Sequence, residues 1–199
     1  MSSTRSDDDV TALALAAKFG DRDAANAFIA ATRLDVRRFV THLVDANAAE
    51  DLVQETYLRA MRSLPRFAAQ SSARTWLLAI ARRVAADHIR TLMRQPRTQS
   101  SDDWPDLADR AAPRSRFDEA VAISQLVEQL DVDRRFAFVA TQMLGLSYAE
   151  AAEVCDVPIG TIRSRVARAR DDLVQALRGA EAEPEAPAER PTRHLRATR

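Results

Sequence analysis

Apolar residues recur at spacings of three and four along most of the chain, in stretches long enough for several turns of helix. Serine, aspartate, glycine and proline, which often begin or end helices, stand at the boundaries of these stretches. The chain has only four glycines in 199 residues, which also favours helices over sheets. We therefore expect an all-α protein. The predicted helices cover residues 10–19, 21–42, 47–63, 72–94, 117–130, 131–144, 147–155 and 158–177.

Three segments lack this pattern. Residues 95–116 carry three prolines with serines and aspartates, and they predict a flexible linker. Residues 1–9 and 179–199 are polar and predict a disordered N-terminus and a disordered tail. The sequence thus predicts two small helical domains, 10–94 and 117–178. Because the linker offers few apolar residues, we expect each domain to fold alone.

The second predicted domain ends in a helix-turn-helix pattern. Ser147 and Glu150 have the spacing of a capping box, Asp156 falls in a short turn, and Pro158 suits the first position of the next helix. Asp is among the few residues that tolerate the left-handed conformation such a turn requires. The second helix has an apolar stripe that should face the core. Its residues are Ile162, Val166, Ala169, Leu173 and Leu177.

The opposite face of that helix carries small polar side chains and arginines. These residues are Thr161, Arg163, Ser164, Arg165 and Arg168. Side chains of these kinds bind base edges and phosphates in the major groove. An ordinary amphipathic helix with solvated arginines is the alternative, but the agreement of cap, turn and stripe favours DNA binding.

Charge and composition narrow the functional classes. The net charge is zero, yet basic residues concentrate in 74–97 and 163–170, and local patches are what a phosphate meets. The single cysteine and scattered histidines predict no disulfide within the chain and no metal site, and there is no P-loop or other cofactor motif. No segment reaches the roughly 18 apolar residues of a membrane span. We therefore expect a cytoplasmic protein without cofactor, metal or enzymatic activity.

The predicted helix 47–63, which Asn47 could cap, has a core stripe and an acidic outer face. The core stripe consists of Ala49, Leu52, Val53, Thr56 and Ala60. The outer face consists of Asp51, Gln54, Glu55, Leu58 and Arg62. An apolar residue within an acidic face is typical of a docking surface for a basic partner. The pattern alone leaves a solvated helix face as an alternative.

The predicted helix 72–94 and the loop before it are basic and polar. The helix presents Arg82, Arg83 and Arg90, and Ser71, Ser72 and Arg74 come from the loop and its junction with the helix. Small polar donors beside a basic helix can hold an unstacked base and follow a phosphate backbone. Alternatively, Asp87 pairs with Arg83 and Arg90 within the helix.

Three segments together resemble a known family. The segments DLVQETYLRA, ARTWLLAIARRVAADHIR and LSYAEAAEVCDVPIGTIRSRVARAR, in this order and spacing, resemble the extracytoplasmic-function sigma factors of bacterial RNA polymerase. The resemblance implies that Asp51–Arg62 docks on the clamp helices of the β′ subunit and that Arg66–Arg94 melts and reads the minus-ten promoter element. It implies that Pro158–Arg170 reads the minus-thirty-five element. Family members often have Asn at the position of Arg83, so phosphate contact is expected there.

The resemblance also implies partners. These are the RNA polymerase core, through the β′ clamp helices and the β subunit, and promoter DNA, with the linker directed toward the RNA exit path. An anti-sigma factor is a further candidate, whose existence the sequence leaves open. The alternative function is a two-domain helix-turn-helix regulator that is not a polymerase subunit, which transcription with core polymerase would distinguish.

Overall fold

The structure, a computed structural model, describes residues 6–94 and 125–182. We call these ranges the N-terminal half and the C-terminal half. Every regular element within them is helical, which confirms the predicted all-α fold for this part of the chain. The predicted linker, the start of the predicted helix 117–130 and the tail beyond residue 182 lie outside the described residues.

The N-terminal half consists of four α-helices. They are α1 (Asp7–Lys18), α2 (Arg22–Thr41), α3 (Ala46–Ser63) with a 3-10 turn at Leu64–Arg66, and α4 (Ala73–Arg94). Two helices begin differently from the sequence prediction. A capping box between Ser6 and Asp9 starts α1 at Asp7, so residues 7–9 are helical rather than disordered. Asp45 caps α3 by accepting hydrogen bonds from the Asn47 and Ala48 amides, so Asn47 is inside the helix.

The C-terminal half begins with a helical stretch at 125–128. It continues with α5 (Val132–Phe138) and a π-helical turn (Val139–Met143), then α6 (Tyr148–Cys155) and α7 (Ile159–Ala182). Residues 179–182, predicted as tail, therefore belong to α7. Asp131 caps α5 by accepting a hydrogen bond from the Asp133 amide.

The α6–turn–α7 unit has the predicted helix-turn-helix form. Ser147 and Glu150 form the capping box of α6. Asp156 ends α6 in the left-handed conformation, with φ of 55°, and its amide bonds to carbonyls of the last turn. Pro158 stands just before α7 rather than in its first turn, since its carbonyl accepts from the Thr161 amide.

The two halves pack directly against each other through apolar side chains. The rings of Phe39 in α2 and Phe136 in α5 lie 6.2 Å apart between centroids, and both residues are fully buried. The guanidinium of Arg82 in α4 lies 5.3 Å from the centroid of the same Phe136 ring. The buried residues of both halves form one continuous cluster, whereas the composition of the linker predicted two domains that each fold alone.

Polar contacts complete this domain interface, which consists of Phe39, Leu43, Arg74 and Arg82 of one half and Arg135, Phe136 and Leu144 of the other. Arg74 Nη2 donates to the Leu144 carbonyl at 2.9 Å. A further bond runs in the opposite direction, from an arginine of α5 to the end of α2. It joins Arg135 Nη1 to the Leu43 carbonyl at 3.3 Å.

Candidate docking helix and nucleic-acid interface

The outer face of α3 is accessible, as predicted. Asp51, Gln54 and Arg62 are exposed and Glu55 is partly exposed, while Leu58 keeps 53% of its surface in contact with solvent. The predicted core stripe is buried on the other side, apart from the partly buried Leu52. The face therefore combines carboxylates with one exposed leucine, which is the arrangement that the helical pattern predicted.

Arg59 fixes the position of this face, although its role was not predicted. Its guanidinium binds Glu55 at 2.7 Å and Asp87 of α4 at 3.0 Å, so it joins the docking helix to the basic helix. These hydrogen bonds, first to Glu55 and then to Asp87, raise the pKa of Arg59. Asp87 also binds Arg90 at 3.2 Å, whereas the predicted pair of Asp87 with Arg83 is not among the contacts of the described residues.

A pair of hydroxyls, on the buried Thr32 and the partly buried Tyr57, joins α3 to α2. The Thr32 Oγ1 and Tyr57 Oη atoms are 2.9 Å apart. Burial raises the pKa of Tyr57 to about 12, so the phenol stays protonated at neutral pH. The α2–α3 contact is therefore uncharged at this point and independent of pH in the physiological range.

The loop before α4 uses one of its two serines for structure. The Ser72 hydroxyl accepts a hydrogen bond from the Thr75 amide at 3.1 Å and so caps α4. Ser71 is partly exposed, and Ala68, Ala69 and Gln70 are exposed. Gln70 and Ser71 are thus the polar side chains that the loop offers to solvent.

Two of the predicted DNA-binding arginines lie in the domain interface. Arg74 Nε binds Asp35 at 2.6 Å, and its side chain is only 19% exposed. Arg82 packs on Phe136, and its Nε is buried without a hydrogen-bond partner among the described residues. Arg83 and Arg90, by contrast, are exposed on α4. The predicted basic surface is therefore divided between a free part and a part covered by the C-terminal half.

The outer face of α7 is accessible at its arginines 163 and 168. Arg163, Ser164 and Arg168 are exposed and Thr161 is partly exposed, with the Ser164 hydroxyl donating to the Thr161 carbonyl at 2.9 Å. Arg165 differs from the prediction, since it binds Asp133 of α5 at 2.5 Å and its side chain is 20% exposed. It holds the helix rather than facing solvent.

The inner face of α7 follows the predicted stripe over its first half only. Ile162, Val166 and Ala169 are buried and Leu173 is partly buried, but Leu177 is 47% exposed. The prediction that Leu177 faces the core is wrong, because α7 extends beyond the helices that cover its first turns. Cys155, at the end of α6, is buried, and burial raises its pKa to about 11, so it is a protonated packing residue.

Within residues 6–94 and 125–182, no three His, Cys, Asp or Glu side chains are grouped so that they could hold a metal ion. In the same ranges, no helix has the length and apolarity needed to cross a bilayer. The exposed polar and charged groups described above form an acidic face on α3, a polar loop with arginines at α4, and a basic face on α7.

Comparison with known proteins agrees with this arrangement. The family model "Sigma-70 region 2" matches residues 28–95, which include α3 and α4, and "Sigma-70, region 4" matches residues 120–173, which include the helix-turn-helix. The ECF RNA polymerase sigma factor SigC of Mycobacterium tuberculosis is 53% identical over 186 residues, covering 93% of this chain and 98% of the relative. The ECF RNA polymerase sigma-E factor of Escherichia coli is 29% identical, covering 79% and 90%.

Solved structures show the same fold. The sigma factor RpoE of Bartonella quintana, crystallised with the anti-sigma factor NepR, superposes with a TM-score of 0.63 at 28% identity, covering 77% of this chain and 96% of that one. CnrH, in complex with the cytosolic domain of CnrY, superposes with a TM-score of 0.68 at 22% identity, covering 86% and 98%.

The chain belongs to the extracytoplasmic-function sigma factors of bacterial RNA polymerase. Its motifs look particularly like those of actinobacterial sigma factor C, and the identity to the mycobacterial protein confirms this likeness. A sigma factor acts in transcription initiation with the RNA polymerase core and promoter DNA as its partners. The alternative of a helix-turn-helix regulator that is not a polymerase subunit is therefore excluded.

Proposed function

We propose that this sigma factor uses three separate surfaces to direct polymerase to its promoters. The outer face of α3 docks on the β′ clamp helices, α4 with its preceding loop opens and reads the minus-ten element, and α7 reads the minus-thirty-five element. The protein has no catalytic step of its own and acts in the cytoplasm, where polymerase meets the chromosome. We further propose that residues 10–94 form the domain for core docking and the minus-ten element, and that residues 117–178 form the domain for the minus-thirty-five element.

The α3 face carries the proposal for polymerase docking. Leu58 is exposed between acidic and polar side chains in the part of the chain matched by sigma region 2. An exposed leucine contributes binding energy only when a partner removes it from water. Asp51 and Glu55 beside it would select a basic partner surface and exclude an acidic one.

The minus-ten surface is proposed to consist of an accessible set and a covered set. Ser71, Arg83 and Arg90 can contact DNA in the conformation described. Arg74 and Arg82 can do so only if the C-terminal half moves away from α4, because both contact that half. Ser72, as the cap of α4, supports the loop by its hydroxyl and reaches DNA only through its backbone.

The minus-thirty-five surface is proposed to be the outer face of α7. Arg163 and Arg168 project from it, with Thr161 and Ser164 between them. Arg165 contributes by fixing the angle between α7 and α5 through Asp133. This division separates side chains that bind DNA from one that orients the recognition helix.

An anti-sigma factor is proposed as a regulatory partner. The support is the Bartonella quintana relative, which shares 28% identity with this chain and was crystallised with an anti-sigma factor. Such a partner would act by covering one or more of the three surfaces.

Charge reversal on α3 tests the proposal. We expect Asp51→Arg to reduce the affinity for core polymerase by at least about tenfold, because like charges facing each other at an interface are strongly unfavourable. Leu58→Ala should also weaken binding. The free energy of unfolding should change by less than about 0.5 kcal/mol for Asp51→Arg, as is usual for exposed positions.

Asp23→Arg is the matched control, since Asp23 is an exposed acid on α2 of the same half. It should retain core binding. Affinity can be measured by titrating labelled full-length protein with core polymerase. Wild-type affinity in both α3 variants would contradict the docking assignment.

A further inference from the structure

The loop before α4 is held at both ends by α1. At its start, Lys18 Nζ donates a hydrogen bond to the Phe67 carbonyl at 2.8 Å. At its end, the Thr11 Oγ1 atom accepts from the Ala73 amide at 3.0 Å while donating to the Asp7 carbonyl at 2.7 Å. Two side chains of one helix thus bracket residues 68–72.

The bond from Thr11 determines where α4 begins. The first amides of a helix have no acceptor within the helix and need one from elsewhere. Ser72 supplies the acceptor for the Thr75 amide, but Ala73 obtains its acceptor from α1. The first turn of α4 is therefore tied to a residue 62 positions earlier in the chain.

The loop between these anchors has a specific and unfavourable backbone shape. Ala69 has φ of 50°, a left-handed conformation that alanine rarely adopts. Phe67 is buried, and its ring lies 4.8 Å from that of Trp76 between centroids. Such a backbone persists only where surrounding contacts impose it, and the anchors from α1 are among those contacts.

Lys18 is well suited to its anchoring role. It is the single lysine in a chain with 29 lysines and arginines. Its ammonium is a compact donor on a flexible stem, whereas guanidinium is a wide planar group made for bidentate partners. The Phe67 carbonyl, at the end of the 3-10 turn, is a single acceptor and therefore suits an ammonium better than a guanidinium. Helix α1, moreover, lies outside residues 28–95 that match sigma region 2.

We propose that α1 is a brace for the promoter-reading loop, in which Thr11 and Lys18 are positioning residues. They hold Gln70 and Ser71 in the one arrangement that accepts an unstacked base of the minus-ten element. This inference rests on the proposed role of the loop. Without the brace, the loop samples other conformations. The affinity for the correct base then falls, because part of the binding free energy is used to order the loop.

The test compares brace variants in full-length protein assembled with core polymerase. The variants are Thr11→Val, which keeps the shape but not the hydroxyl, and Lys18→Met, which keeps the stem but not the ammonium. Thr11→Ser retains the hydroxyl. Thr32→Val is the matched control, because it removes a hydroxyl contact between helices of the same half, to Tyr57, far from the loop in sequence.

The measured quantity is minus-ten selectivity, the ratio of affinities for pre-melted fork templates with the matched and a substituted minus-ten strand. We expect Thr11→Val and Lys18→Met each to lower this ratio about two- to tenfold, the range for loss of one hydrogen bond. Thr11→Ser and Thr32→Val should keep it, and all variants should bind core normally. Exchange of the Ala73 and Thr75 amides, which are hydrogen-bonded at the end of the loop, should become faster in the two brace variants only.

Wild-type selectivity in both brace variants, unchanged exchange of the Ala73 and Thr75 amides, or an equal loss in Thr32→Val would each overturn the brace. Replacing Gln70 and Ser71 together by alanine tests the loop itself. If that change leaves selectivity intact, the proposed loop function fails and the brace with it. If selectivity falls there but not in the brace variants, only the brace is wrong.

Discussion

At the scale of single residues, the turn between α6 and α7 depends on one backbone angle. Asp156 has φ of 55°, and the amides of Asp156 and Val157 bond to the Glu153 and Ala152 carbonyls. This is a Schellman ending, in which a left-handed residue closes the helix. Glycine is the usual residue there, and aspartate tolerates the conformation better than most side chains.

A β-branched residue at this position should therefore be costly. We expect Asp156→Val to lower the free energy of unfolding by about 1–2 kcal/mol, the cost of a left-handed conformation for such a side chain. Asp156→Gly should stay within about 0.5 kcal/mol, because relief of strain and the greater freedom of the unfolded chain nearly cancel. Urea denaturation measures both. A loss in Asp156→Val no larger than in Glu153→Val, an exposed control on α6, would contradict the strain argument.

His42 gives the protein a dependence on pH near neutrality. Burial lowers its pKa below the ordinary 6.5, Glu128 of the other half opposes this shift, and Arg38 adds to it. Because the folded pKa lies below the unfolded one, the unfolded state binds more protons in the window between them. The stabilising contribution is complete above pH 6.5 and decreases as the pH falls through that window.

The free energy of unfolding should thus fall more for the wild type than for His42→Gln when the pH changes from about 7.5 to about 5.5. The comparison between the two proteins cancels the titration of carboxylates that both share. Equal pH dependence would show that His42 has the same pKa in the folded and unfolded chain.

At the scale of helices, the sequence predicted most of the core-facing residues and fewer of the ends. The stripe of α3, apart from Leu52, and the first half of the α7 stripe are buried as expected, because the 3.6-residue period directly reports a buried face. The cap of α3 was misassigned, since Asp45 and Asn47 are both good caps and only the path of the chain from α2 decides between them. The π-helical turn at Val139–Met143 leaves no signal in the periodicity at all.

For the predicted site residues, too, some properties could be predicted from the sequence and others could not. Exposure on α3 and α7 followed from helical geometry and could be predicted. The contacts of Arg82 and Arg165 could not, because they depend on which helix packs beside each arginine. The spacing of residues in the sequence shows which side of a helix is exposed. It does not show which helix packs beside a given arginine, because that depends on the tertiary structure.

Substitutions of the arginines of α7 should therefore have different effects, depending on whether the arginine faces solvent or binds α5. Arg163→Ala and Arg168→Ala should weaken binding to the minus-thirty-five element. The loss should be about 1–3 kcal/mol and specific for the matched sequence if a base contact is removed. It should be the same for all sequences, with a salt slope lower by about one, if a phosphate contact is removed. Arg165→Ala should instead lower the free energy of unfolding, since Arg165 joins α7 to α5.

Affinities of the holoenzyme for promoters with matched and mutated upstream elements, at two salt concentrations, measure these effects. Arg178→Ala is the control, because Arg178 is exposed near the other end of the same helix. If Arg163→Ala and Arg168→Ala behave like the control, the DNA-binding face of α7 has been misidentified.

At the scale of the whole molecule, the two halves share a core in the conformation described. The sequence did not predict this, because Phe39 and Phe136 each fit the apolar stripe of their own helix and nothing in the pattern pairs them. We expect simultaneous contacts of both halves with polymerase and DNA to depend on their covalent connection, since a tether raises the effective concentration of the second contact to about the millimolar range.

We expect promoter selectivity to depend on that connection. A protease site introduced within 95–116 allows the folded protein to be cut into its halves, with the uncut protein as control. Promoter-dependent transcription should be lost after cutting, at concentrations where the uncut protein is fully active. Full activity of the cut protein would show that promoter selectivity does not depend on the covalent connection between the halves.

The contact between the halves also limits which hybrids of related sigma factors can be built. Joining the N-terminal half of this protein to a foreign C-terminal half would combine two promoter elements in a new pairing. In such a hybrid, Phe39 and Arg82 would need an aromatic ring where Phe136 now stands, and Arg74 would need a carbonyl in the place of Leu144. A graft without that ring, or with its backbone carbonyl placed elsewhere, removes the contacts of Phe39 and Arg82 and leaves Arg74 with Asp35 as its partner. A half can therefore be exchanged only together with the surface that complements it.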